Sequence, residues 1–163
     1  MEATSPDVET ILVERPRVSN RIDAKGGPMK ILVATDGSRG GDAALRLGAR
    51  LASRDERPAL TVVTVGRPAD GEPEALQRAS RQLQERGISA KLRHVHATSH
   101  ATVPETIARE AERLRAELVI VGSEGRDTLQ EWVVGGVALR LIYLSRCPVL
   151  VVRAARRRRP QAR

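Results

Sequence analysis

The sequence predicts an α/β fold in which an open parallel sheet lies between two layers of helices. Short, continuous apolar runs recur along the chain, as expected of strands that are buried on both faces. Segments with apolar residues at helical spacing separate these runs. The connections are short, and a regular alternation of strand and helix calls for parallel strands joined by crossovers on both faces of the sheet.

Five strands are predicted. They are Met29–Thr35, Ala59–Val65, Ser89–Val95, Glu117–Gly122 and Pro148–Arg153. The third of them is more polar than the others, so we expect it near an edge of the sheet.

Four helices are predicted between these strands. They are Asp42–Arg54, Pro73–Arg86, a helix that starts after Thr102, and Gly136–Leu144. Thr102 and Glu105 have the spacing of a capping box, which marks the start of the third helix. Ile107, Ala111 and Leu114 then form its apolar face.

The chain of 163 residues is long enough for one domain with a substantial core. Residues 1–28 are polar and mixed in charge, with Ile11–Val13 as their one apolar cluster, and we interpret them as a flexible extension. Residues 29–153 form the predicted domain. Residues 154–163 are interpreted as a basic, disordered tail.

The last strand, PVLVV, is expected at an edge of the sheet. A long apolar edge is an aggregation liability that proteins normally cover, and we expect nothing else in the chain to cover this one. Pairing with its own copy across a two-fold axis would satisfy both edges at once. The sequence therefore predicts a homodimer that forms through the last strand.

Composition excludes several classes of function. The chain has one Trp, one Tyr and no Phe, so it lacks the aromatic platforms on which single-stranded nucleic acids stack. Its net charge of +8 depends largely on six arginines from residue 153 onward, and nucleic acid is not an expected partner. Loose contact of this tail with nucleic acid or with an acidic surface stays as a weaker alternative. No apolar run approaches the length of a membrane span, and a single cysteine suits a reducing, cytoplasmic location.

A ligand site is expected at the carboxyl ends of the first and fourth strands. The first strand ends in Thr35 and Asp36, and the fourth ends in Gly122, with Gly125 three residues further on. Open parallel sheets bind ligands where the strand order reverses, so both loops would line one crevice if the two strands are neighbours.

The second of these loops has the spacing G-x2-G-x9-G, formed by Gly122, Gly125 and Gly135. Glycines let backbone N–H groups approach a phosphate, and a helix N-terminus adds unpaired donors. This pattern makes chemical sense as a triphosphate cradle. It is neither a Walker P-loop, which needs Gly-Lys-Ser/Thr, nor the dinucleotide motif G-x-G-x-x-G.

Three segments together resemble the universal stress protein family. They are MKILVATDGS in the first strand, ELVIVGSEGR followed by the third glycine, and RCPVLVV at the last strand. The resemblance covers about residues 29–152. It implies a Rossmann-like fold of the adenine nucleotide alpha hydrolase kind, with the five parallel strands in the order 3-2-1-4-5. It also implies homodimers that commonly pair through the last strand.

The same resemblance implies ATP as the cofactor, with or without Mg²⁺. Asp36 would contact the ribose or the metal, the backbone of Val65 the adenine, and Arg126 the phosphates. The predicted cofactor-binding residues are Thr35, Asp36, Val65, Gly122, Gly125, Arg126, Gly135, Gly136 and Val137. Nucleotide-binding members have Ser or Thr after the third glycine, where this chain has Gly136, so we expect weakened binding.

Several of these residues also have simpler interpretations. Asp36 could cap the first helix, Arg126 could be a solvated loop residue, and Glu124 would repel phosphate if it faced the loop. His94, His96 and His100 lack a further ligand at metal-binding spacing, and we interpret them as surface or edge histidines.

Two functions follow from this reading. The first is a dimeric, ATP-binding stress-response regulator. The sequence shows no set of residues arranged for catalysis, so we expect any ATP hydrolysis to be slow. The second is an interaction module that binds no nucleotide and keeps a vestigial cradle, which Gly136 and Glu124 favour.

Overall fold

A computed structural model of the chain describes residues 10–13, 28–53, 59–66, 73–97, 101–123 and 135–154. In these segments the chain forms one six-stranded sheet and four helices. The strands are β1 (Thr10–Val13), β2 (Lys30–Ala34), β3 (Ala59–Gly66), β4 (Lys91–His96), β5 (Leu118–Gly122) and β6 (Val149–Val152). The helices are α1 (Arg39–Ala52), α2 (Glu74–Gln84), α3 (Val103–Leu114) and α4 (Gly136–Leu144).

The sheet has the order β1-β6-β5-β2-β3-β4. All pairings among β2 to β6 are parallel. Counted from β2, these five strands have the order 3-2-1-4-5 read from the β4 edge, which confirms the predicted parallel sheet. The polar strand β4 lies at one edge, as its composition predicted.

Aliphatic side chains fill both faces of the sheet. One core cluster packs β2 and β3 side chains such as Val33 and Val62 against α1 and α2. The other packs Leu32, Val63 and Val121 against α3 and α4. The central strands are therefore buried on both sides, which explains their continuous apolar sequences.

Local capping fixes where two helices begin. The Ser38 side chain accepts a hydrogen bond of 3.1 Å from the Gly41 N–H, so α1 starts at Arg39, three residues before the predicted start. At α3 the predicted capping box is confirmed, with the Thr102 N–H donating to Glu105 at 2.8 Å. No helix in the described part of the chain has the length and apolar character needed to cross a membrane.

One prediction about the sheet is wrong. We expected no part of the chain to cover the edge of the last strand, but β1 pairs with β6 in antiparallel fashion, from Thr10 opposite Val152 to Val13 opposite Val149. Residues 1–28 have no periodic apolar face, and for that reason no strand was expected among them. A four-residue edge strand needs no such face, because its backbone N–H and C=O groups make the pairing.

Candidate functional site

A cavity of about 990 Å³ opens at the carboxyl ends of the parallel strands. It lies where β2 and β5 run side by side, with Ala34 opposite Val121, and where the connections from the two strands leave on opposite faces. The ends of β2, β3 and β5 line it together with the first turns of α2, α3 and α4. The carboxyl ends of the two strands, which were expected to share one crevice, therefore do so.

The end of β2 presents Thr35 and Asp36 to the cavity. Thr35 is buried, and its Oγ1 accepts a hydrogen bond of 3.2 Å from the Gly37 N–H. Oδ1 of Asp36 accepts a bond of 2.9 Å from the Ser38 N–H. Since Ser38 is the residue that caps α1, the interpretation of Asp36 as the helix cap is not what the structure shows. Asp36 instead lies at the wall of the cavity.

Val65 lies beyond the end of β2. Ala34, the last residue of β2, pairs with Val63, and the Thr35 N–H donates to the Val63 carbonyl at 3.0 Å. The backbone N–H and C=O groups of successive residues point to alternate sides of a strand, so those of Val65 point to the same side as those of Val63, toward β2. At the level of Val65, β2 has already ended. The Val65 backbone thus faces the cavity, as expected for contact with a flat heterocycle.

Gly122 lacks a side chain for a packing reason. A Cβ at this position would lie 2.4 Å from the carbonyl carbon of Gly40 in α1, with other Gly40 backbone atoms at 2.7 and 2.8 Å. The end of β5 and the first turn of α1 therefore approach backbone to backbone. Gly122 also lines the cavity, so this contact sets the depth of its floor.

The start of α4 forms the opposite wall. The Gly135 N–H donates to the Ser123 carbonyl at 2.6 Å, which ties the start of the helix to the end of β5. The first backbone bond of the helix runs from the Leu139 N–H to the Gly135 carbonyl. The N–H groups of Gly136, Val137 and Ala138 therefore have no acceptor within the helix, and all three residues line the cavity.

The model of the universal stress protein family matches residues 28–153, which is most of the chain. The chain belongs to this family. A curated universal stress protein of Methanocaldococcus jannaschii is 28% identical over 143 residues, which cover 76% of this chain and 81% of that protein. The predicted membership of the universal stress protein family is thereby confirmed.

Solved structures of universal stress proteins share the fold. One from Burkholderia pseudomallei is 27% identical, with a TM-score of 0.55, and the match covers 74% of this chain and 92% of that one. A universal stress protein in complex with cAMP is 23% identical, with a TM-score of 0.60, and the match covers 78% of this chain and 98% of that one.

Of the site residues expected for this family, the structure brings seven to one cavity. They are Thr35, Asp36, Val65, Gly122, Gly135, Gly136 and Val137. Gly125 and Arg126, and with them Glu124, lie outside the described residues. The Gly135 N–H is already bonded to Ser123, so the donors that remain for a ligand at this end begin at Gly136.

Three charged or titratable residues that line the cavity were missed: His94, Arg140 and Glu74 at the start of α2. His94 was interpreted as a surface or edge histidine, but it lies beside Thr64 and lines the cavity. Its Nδ1 is 3.1 Å from Oγ1 of Thr64, and its Nε2 is buried with no hydrogen-bond partner within the described residues. Alternation along the edge strand could have placed His94 on the same face as Leu92.

Arg140 is the second missed residue. It follows Gly136 by four residues on α4, so the two share one face of the helix, and it also lines the cavity. Thr102 hydrogen bonds, and to a smaller extent Arg140 and Arg109, lower the pKa of Glu105 at the start of α3. Arg140 therefore lines the cavity from α4 and has the Glu105 carboxylate of α3 as an electrostatic neighbour.

The donor set of the cavity suits a nucleotide. Val63, Val65, Val103 and Ile107 supply an apolar wall, and the first turn of α4 supplies unpaired N–H groups. An added Cβ at Gly136 would meet no atom within 4 Å, so a phosphate could approach this backbone closely. Across the described segments, no three His, Cys, Asp or Glu side chains are grouped to hold a metal ion by themselves.

Proposed function

We propose that this universal stress protein binds an adenine nucleotide in the cavity and acts as a dimeric stress-response regulator rather than as an efficient enzyme. The observation that carries the proposal is the meeting of three elements in one cavity: the end of β2, the end of β5 and the unpaired N–H groups at the start of α4. An apolar wall on one side and N–H donors on the other match the two chemically different ends of a nucleotide.

The proposed ligand is ATP. The backbone of Val65 would contact the base, Asp36 the ribose or a Mg²⁺ ion that the nucleotide brings, and the N–H groups of Gly136 and Val137 the phosphates. A relative with this fold has been solved in complex with cAMP, which supports an adenine nucleotide as the ligand class. Because Gly136 offers no hydroxyl, we expect binding in the micromolar range at best.

Gly136 offers a direct test, since a side chain added there meets no neighbour. Gly136→Ser should tighten ATP binding about threefold to tenfold by adding one hydrogen bond. Gly136→Glu should weaken it, because its carboxylate would repel the phosphates. Calorimetric titration of the three proteins with Mg-ATP measures this order, and circular dichroism checks that all three are folded. Analysis of nucleotide that remains bound after purification identifies the ligand independently.

Equal affinity of the wild type and both variants, or no binding by any of them, would contradict the proposal. The proposal also places no efficient catalysis at the site. Release of inorganic phosphate from ATP at more than about one turnover per second, which is the low end of enzyme rates, would show an enzyme instead.

A second candidate function is an interaction module with a vestigial cradle. The exposed side of α4 favours it, because Leu139 is 48% exposed and Tyr143, one turn further on, is 63% exposed. Leu144 is also exposed. Such neighbouring apolar side chains are typical of a protein contact. Absence of ATP binding in all three proteins of the titration, with folding intact, would leave this candidate as the better one.

We also propose a homodimer that pairs the last strands of two copies. In the structure β1 occupies the free side of β6, so such a dimer requires that Thr10–Val13 leave this edge. The β1–β6 pair has four residue pairs, which makes it a short contact to replace. The presence of a single cysteine supports the further proposal of a reducing, cytoplasmic location, which localisation of a tagged protein would test.

A further inference from the structure

We infer that Arg140 binds the outer phosphates of the bound nucleotide through their charge, so that the cavity discriminates among adenine nucleotides by their number of phosphates. This inference deepens the proposed function and rests on it. It adds a specificity-determining side chain to the backbone N–H groups of Gly136 and Val137, which are the phosphate contacts proposed among the described residues.

The charges around the cavity are the first support. Asp36 and Glu74 line it, and both carry carboxylates that would oppose a polyphosphate. Arg140 is the one arginine or lysine among the described residues that line the cavity. Any attraction that these side chains offer to the outer phosphates must therefore come from Arg140.

Helix geometry is the second support. Side chains of an α-helix tilt toward its N-terminus, so Arg140 extends back along α4 toward the turn that contains Gly136. Gly136 has no side chain, and the space above its Cα is open to at least 4 Å. A guanidinium can thus reach the region beside the unpaired N–H groups, where a residue with a longer side chain at position 136 would compete for space.

The surroundings of the guanidinium are the third support. Arg140 is exposed, and its charge contributes to the lowered pKa of Glu105 on α3. The Glu105 carboxylate is already engaged by the Thr102 N–H at 2.8 Å in the capping box. Glu105, the acidic neighbour of Arg140, therefore has its main bond to another group. A phosphate, which accepts two parallel bonds from a guanidinium, would be the stronger partner.

Arg109 provides a matched control. It is exposed on α3, and it also lowers the pKa of Glu105, but it does not line the cavity. Arg140→Gln and Arg109→Gln remove the same charge from the two sides of Glu105. Arg140→Lys keeps the charge and loses the fork of donors.

The test is calorimetric titration of the wild type and these three variants with AMP, ADP, ATP and inorganic tripolyphosphate. We expect Arg140→Gln to weaken ATP binding by about tenfold and AMP binding by less than about threefold, with ADP between them. Arg140→Lys should recover part of the loss, and Arg109→Gln should bind like the wild type.

The outcomes separate the two proposals. Wild-type binding of ATP with an equal loss for AMP and ATP in Arg140→Gln, or with no loss, would overturn the inference and leave the proposed function standing. Equal effects of Arg109→Gln and Arg140→Gln would also overturn it. A third result is that the wild type binds tripolyphosphate as well as it binds a nucleotide, and that this binding is lost in Arg140→Gln. That result would contradict the proposed function and support the role of Arg140 in binding phosphates. No binding of any of the four ligands would overturn both.

Discussion

Gly122 opens the glycine spacing pattern and Gly136 directly follows its last glycine, and the two residues lack side chains for different reasons. A Cβ on Gly122 would collide with the backbone of Gly40, whereas a Cβ on Gly136 would meet nothing within 4 Å. The first glycine is required by the packing of β5 against α1. The second leaves space at the ligand side. A spacing pattern alone does not separate these two demands, because both are met by the same residue type.

This difference predicts that a side chain at position 122 lowers stability much more than one at position 136. Gly122→Ala should lower the free energy of unfolding by about 1–3 kcal/mol, because the added methyl group forces two backbone segments apart. Gly136→Ala, the matched control, should change it by less than about 1 kcal/mol. Urea denaturation measures both values. Similar losses for the two variants would show that the close contact between Gly122 and Gly40 does not form.

Glu110 is a residue whose ionisation the fold uses. Its side chain is 7% exposed and lies 2.6 Å from Arg93 and 2.7 Å from Arg113. The hydrogen bonds from Arg113, with the charge of Arg93, lower the pKa of Glu110 against the opposing effect of burial. The ionised form is therefore favoured more in the folded state than in the unfolded state.

A pH dependence follows from the direction of this shift. Because the folded-state pKa of Glu110 is lowered, its contribution is complete above the unfolded-state value, near 4.5, and is lost as the pH falls through the folded-state value. Glu110→Gln should cost about 1–3 kcal/mol at neutral pH and should flatten the fall in stability as the pH drops below about 4.5.

The control for this experiment is Glu112→Gln on the same helix. Glu112 pairs with Arg146, whose side chain is 83% exposed, so this variant should change stability by less than about 1 kcal/mol. Urea denaturation over the acid range compares the two variants. A Glu110→Gln protein whose stability falls with acid as steeply as that of the wild type would contradict the assignment.

At the scale of elements, β1 is the part of the sheet that the sequence did not predict. Four of the five parallel strands, all except the polar edge strand β4, are continuous apolar runs because two helix layers cover them, and this pattern is visible without a structure. β1 is four residues long and lies in a polar segment. Its position depends on the edge of β6, which lies more than 130 residues away along the chain. A pattern within residues 10–13 cannot predict that this edge is available for pairing.

The pairing of β1 with β6 makes a prediction about assembly. Deleting residues 1–13 should expose the edge of β6 and raise the fraction of dimer at a given protein concentration, because the two exposed edges can then pair with each other. Size-exclusion chromatography with light scattering measures the mass of the deletion variant and of the full chain at the same micromolar concentrations.

A full-length variant separates the loss of β1 from the loss of chain length. The double substitution Ile11→Pro and Leu12→Pro removes two consecutive N–H donors, one of which must face β6, since donors alternate along a strand. It should dimerise like the deletion variant. If both variants stay as monomeric as the full chain, the proposed dimer through the last strand is wrong.

At the scale of the whole molecule, the position of the cavity was predictable and its full lining was not. The polar ends of two buried strands and a glycine-rich approach to a helix indicated the crevice between β2 and β5. His94 reaches the same cavity from an edge strand whose alternation is irregular, and Arg140 reaches it from the second turn of α4. Both positions depend on how whole elements pack together, and periodicity within one element does not give that.

The partnership of β1 with β6 also has a consequence for the order of events during synthesis. β1 is hydrogen-bonded to β6, and these are the first and the last of the described strands to be synthesised. The parallel strands β2, β3, β4 and β5 can associate as they emerge, but β1 must wait for residues 149–152 before its partner exists. Closing so long a loop of chain carries an entropic cost that the earlier pairings do not have. A nascent chain stalled before residue 149 should therefore hold a partly assembled sheet with an N-terminal segment that is still accessible to proteases.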